Sequence, residues 1–155
     1  MEWLNKAANN AKAERESVKD SEEKLRKLKE SYQDYLMQLW MEFQDVFKEV
    51  EEKFGTELTS IKAHANHLVI EIGDVTIDAS AEQGALMGGY FAAVYVTYKV
   101  PNTSGGPHLP YSKILLTNDG KWVYLDKGSN RTLNKAFGKE QITEIFKTAL
   151  WKYLK

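Results

Sequence analysis

Large apolar residues recur along the first third of the chain at Leu25, Leu28, Tyr32, Tyr35, Leu36, Leu39, Trp40, Phe43, Val46, Phe47, Val50 and Phe54. At 100° per residue they fall within an arc of roughly 140°, which predicts one amphipathic helix about 45 Å long. Asp20 and Glu23 have the residue types and spacing of a capping box, so the helix is expected to begin there and run over residues 20–54. Gly55 is a natural stop. Residues 1–19 are polar and alanine-rich with a weaker stripe, and read as a helical extension that is frayed or partner-dependent.

After Gly55 the period changes from 3.6 to 2. Strands are expected at Leu58 to Ala63, Leu68 to Ile72, Val75 to Ala79, Tyr90 to Val100, Tyr111 to Thr117 and Trp122 to Asp126, with turn residues between them. Asn118-Asp119-Gly120 marks a hairpin, because glycine supplies the positive φ such a loop needs. A closing helix from Lys139 to Leu154 carries Ile142, Ile145, Phe146, Ala149, Leu150 and Tyr153 on one face. Strands follow one another without intervening helices, so parallel crossovers are excluded. The expected class is α+β, with a long N-terminal helix, an antiparallel sheet of about six strands and a C-terminal helix packed on it. Residues 55–155 and the end of the first helix are expected to form one globular unit.

Strict alternation divides the sheet into two faces. One is aliphatic: Leu68, Ile70, Ile72, Val75, Ile77, Tyr90, Ala92, Val94, Val96, Ile114, Leu116, Val123 and Leu125, with the closing helix as its cover. The other mixes Glu71, Thr76, Asp78, Thr97, Lys113 and Asp126 with five aromatics: Phe91, Tyr95, Tyr111, Trp122 and Tyr124. Five aromatics are too many to leave wet. Three covers are open: the first helix over residues 36–54, giving a three-layer unit; a partner chain; or a ligand stacking on the aromatics. The folded-back helix is the expectation adopted.

Composition narrows the function. The chain of 155 residues has no cysteine, which excludes disulfides, thiolate metal sites and cysteine nucleophiles and fits a cytoplasmic location. Net charge is −1, so there is no global pull toward nucleic acid or membrane. The charged opening residues do not read as a secretory signal. The uncharged run from Gln83 to Tyr98 is shorter than the roughly 20 apolar residues a span requires, and suits a buried strand. Charge is uneven, at −4 over residues 56–98 and +5 over residues 121–155. Lys127, Arg131 and Lys135 lie in a basic loop, 127–139, that leads into the closing helix and offers a nucleic-acid or anion site as the alternative reading.

Catalytic motifs are lacking. His64 and His67 have H-x-x-H spacing but fall across a turn, with no fixed third ligand. Asp74 and Asp78 on one extended strand would stand about 13 Å apart at 3.3 Å per residue, too far for a carboxylate pair acting on one bond. The loop from Pro101 to His108 combines serine, glycine and histidine without a nucleophile elbow or a phosphate-binding lysine. No catalytic residue, metal or cofactor is expected. The reading is a non-enzymatic protein-interaction module: an oligomerising binder, inhibitor or chaperone-like protein. Leu25, Leu28, Tyr32, Tyr35 and Leu39 carry the 3-4-3-4 spacing of a coiled-coil seam. Trp151, about 180° from Ile142 around the closing helix, is a further contact candidate.

Overall fold

The computed structural model describes residues 1–83, 89–103, 105–127 and 132–154. Helix α1 spans Glu2–Phe54 and is followed by seven strands, β1 (Thr59–His64), β2 (His67–Ile72), β3 (Val75–Gln83), β4 (Tyr90–Lys99), β5 (Lys113–Thr117), β6 (Trp122–Lys127) and β7 (Thr132–Ala136). Helix α2 (Lys139–Ala149) and a short 3-10 turn (Trp151–Tyr153) close the chain. The sheet is antiparallel throughout, and its spatial order is its sequence order. The α+β class is as expected. The seventh strand falls inside the segment read as a basic loop, because Thr132–Ala136 has too few apolar positions to show a period of 2.

α1 stops where glycine was expected to stop it. Gly55 adopts φ 88°, and its amide donates to Glu51 O at 2.8 Å. Its start differs, since the helix runs unbroken through Asp20 back to Glu2. α2 is capped by Gly138, whose amide donates to the Gln141 side chain at 2.9 Å. It ends at Ala149, earlier than the apolar pattern suggested, so a helical wheel does not set the direction of Trp151.

Both helices cover the same face of the sheet, so the layers number two, not three. One cluster holds Leu36, Phe43 and Phe47 of α1, Ile70, Ile77, Val94 and Ile114 of the sheet, and Ile142 and Phe146 of α2. A width argument explains this. Six strand spacings of about 4.8 Å make a sheet about 29 Å across, whereas one helix covers about 10 Å. α1 crosses from the β5–β6 turn, where Tyr35 packs on Gly120, to β1, and α2 fills the remainder beside it. Phe43 sits between Trp40 and Phe137, with ring centroids 6.2 and 6.3 Å away.

Two local features shift the faces that alternation assigned. Asn118-Asp119-Gly120 is a three-residue turn closed by Thr117 N to Lys121 O at 2.9 Å, with Gly120 at φ 81°. An odd loop sets Leu116 opposite Trp122, so Trp122 and Tyr124 join the helix-covered face while Val123 and Leu125 turn to the other. A β-bulge between Tyr90 and Ala92 brings Phe91 onto the covered face beside Ala92 and leaves Tyr90 on the opposite one. α1 therefore does fold back over Phe91 and Trp122. It does not cover Tyr95.

Glu42 lies on α1 near Lys139 and Asp45, which pair at 3.2 Å. Burial pushes its carboxyl above the ordinary 4.5, Lys139 pulls it down, and Asp45 adds to the rise. The folded state thus holds this proton more tightly than the unfolded chain. The resulting stability is fully present below about pH 4.5 and is lost as pH rises through the higher folded value. Glu42→Gln should raise the melting temperature at pH 7 and leave it unchanged at about pH 3. An equal gain at both values would assign the effect to packing.

Candidate interaction site

The first buried residue of α1 is Leu28. Everything before it, from Glu2 to Lys27, is helix exposed on all sides, an arm of about 39 Å at 1.5 Å per residue. The arm leaves the domain at a fixed root. Tyr32 meets Phe91 edge to face at 5.7 Å, and the Trp122 indole donates to Tyr35 O at 2.9 Å. The Tyr35 ring rests on Gly120, where a Cβ would lie 2.6 Å from its hydroxyl. Lys24 and Lys27 face Asn118 and Asp119 across a shallow cleft of about 390 Å³.

Along the arm, Leu4, Ala11, Val18 and Leu25 recur every seven residues, and Trp3 and Ala7 fall within the same arc of about 100°. This line continues the core-facing stripe of the packed half. Trp3 is 68% exposed, Val18 52% and Leu25 42%. The flanks are charged, with Glu23 near both Arg26 and Lys27 at 3.9 and 3.7 Å. Such exposed pairs contribute only a few tenths of a kcal/mol each. Sequence reading missed the heptad line because the fuller stripe after Leu25 outweighs it and because alanine and serine dilute it.

The seam residues chosen from sequence separate in the structure. Leu25 alone stays on the exposed arm, while Leu28, Tyr32 and Leu39 are buried in the chain's own core and Tyr35 is half-buried. The 3-4-3-4 spacing serves helix-to-sheet packing, which uses the same stripe as a coiled coil. Met37 and Met41 are exposed on the back of the helix.

The five aromatics do not share a platform. Phe91 is buried, Trp122 is tied to α1, and Tyr111 meets Tyr124 at 4.6 Å in an edge contact. Tyr95 is on the opposite face, where the Lys113 ammonium stands 5.9 Å from its ring centre. That face carries a small second cluster, with Ala93, Leu115 and Val123 buried and Tyr90, Tyr95 and Leu125 around them. No described helix lies on it. Of the basic residues, Lys127 ends β6, Arg131 lies outside the described residues, and Lys135 is engaged with Asp126 at 2.6 Å, which raises its pKa.

His67 Nε2 contacts Asp78 Oδ1 at 2.8 Å across β2 and β3, and His64 stands opposite His67 at the hairpin end. Asp74 pairs with Lys152 at 2.9 Å, and its amide donates to the Tyr153 hydroxyl. No three of the described His, Asp and Glu side chains converge as a metal site. Trp151 is half-buried and lines a cavity with the loop after β4. No described helix is long and apolar enough to cross a membrane. Comparison with protein families, characterised proteins and solved structures finds no match to this chain.

Proposed function

We propose that this protein is a non-enzymatic protein-interaction module of the cytoplasm, with the helical arm over residues 2–27 as its docking element. The supporting observation is that arm: a long helix with no buried residue and one apolar line, tied at its root to the sheet. Helices in proteins owe most of their stability to packing of an apolar face, and for the arm a partner is the source of that packing. The heptad line fits a helix-in-groove or helix-pair contact, read through Leu4, Ala11, Val18 and Leu25. A second copy of the chain is the first partner to test.

Val18→Glu with Leu25→Glu should leave stability within about 0.5 kcal/mol, because both sites are exposed. Sedimentation at tens of micromolar should show an oligomer for the wild type and a single chain for the variant. A single-chain wild type would direct the arm to a different protein, and a photo-crosslinker at Val18 in the source cells would then capture it. No adduct in either setting overturns the proposal.

A further inference from the structure

β4 outruns one of its neighbours. Its pairing with β3 continues from Ala92 to Lys99, but its pairing with β5 ends at Tyr95 opposite Lys113. One rung follows, in which Val96 N donates to Ser112 O at 2.8 Å. The next would set Tyr98 against residue 110. That rung cannot form, because Pro110 has no N–H and Tyr111, at φ 56°, turns the chain out of the ladder.

Hydrogen-bonding directions alternate along an antiparallel strand, so the N–H and C=O of Tyr98 point as those of Val96 do, away from β3. Among the described residues no backbone hydrogen bond joins Tyr98 to the loop that follows. A cavity of about 700 Å³ lies there instead, within the range of ligand sites. The loop is held across it from outside. The Tyr98 hydroxyl donates to Pro107 O at 2.6 Å, and Gly106 passes where a Cβ would lie 2.7 Å from that hydroxyl and 2.9 Å from the Trp151 indole nitrogen. Thr97, Lys99, Thr103, His108, Leu109 and Trp151 are among its walls, and among the described residues no Asp or Glu lines it.

We propose that this slot receives an extended acidic peptide segment of a partner protein by strand addition beside Tyr98. Main-chain pairing with Tyr98, and with Val100 two residues on, continues the ladder that Pro110 interrupts. Lys99, unopposed by any carboxylate among the described lining residues, selects negative side chains, and His108 offers a ring nitrogen to hydrogen-bond them. The site is remote from the arm and does not depend on it.

The test uses the full chain and hexapeptides carrying an uncharged dye, read by fluorescence anisotropy. The probes are alternating valine and glutamate, the same peptide N-methylated at alternate residues, and alternating valine and lysine. The acidic probe should bind at least about tenfold more tightly than either other probe, a difference of about 1.4 kcal/mol. The exchange of the Tyr98 amide with solvent should slow when it binds. Lys99→Glu, at an exposed position, should reverse the preference between the acidic and basic probes without changing the melting temperature. Equal binding of the methylated probe would show an anion site without strand addition and overturn the proposal. Absence of binding at about 1 mM, or equal affinity for the basic probe, would overturn it too.

Discussion

Phe43→Ala should lower the free energy of unfolding by about 3 to 5 kcal/mol, the usual cost of truncating a buried aromatic. Phe43 is fully buried and touches Trp40 on its own helix and Phe137 just before α2, so the cavity opens at the junction of both helices with the sheet. Neither neighbour can collapse into it without leaving other contacts. Denaturant midpoints at constant slope measure the effect. A loss under about 1 kcal/mol would mean that α1 does not pack on the sheet as described.

Leu28→Glu with Tyr32→Glu should unfold the protein. The two positions are 4% and 3% exposed, and each new carboxylate would be buried without a partner. Effective penalties of several kcal/mol per ion, against a total stability of 5 to 15 kcal/mol typical of domains, leave little or no folded population. Circular dichroism should show loss of the cooperative transition. Val18→Glu with Leu25→Glu, one to three turns earlier on the same helix, should retain it. A Leu28 and Tyr32 double variant that stayed folded and changed only its mass would return these residues to an intermolecular seam.

That contrast shows how far the amino-acid pattern reaches. The helix, its stop at Gly55, the antiparallel order and the closing helix all follow from periodicity and turn residues, because each is a local preference. The faces of the sheet were harder to read. A bulge between Tyr90 and Ala92 exchanges Tyr90 and Phe91 between faces and leaves Ala92 to Val96 as alternation assigned them, whereas the three-residue turn at Asn118-Asp119-Gly120 exchanges every side chain from Trp122 to Leu125. Trp122 was expected under α1 but away from α2, and it shares one core with both. The arm was legible only as a weak helix. The spacing that packs a helix on its own sheet is the spacing that packs it on a partner, so Leu25 and Leu28 look equivalent in sequence although the sheet covers only the second.

Trp122 and Tyr35, joined by a hydrogen bond, stand 87 residues apart in the chain, whereas each strand pairs with its immediate sequence neighbour. During synthesis α1 therefore emerges first, and its apolar stripe waits for strands not yet made. At 5 to 20 residues per second, the roughly 100 residues from Gly55 onward take about 5 to 20 s to follow. The hairpins can close one by one as they appear, since their contacts are local. The end of the stripe at Tyr32 and Tyr35 meets its cover, Phe91 of β4 and Trp122 of β6, only when those strands exist, and for those seconds the strands it packs on cannot shelter it.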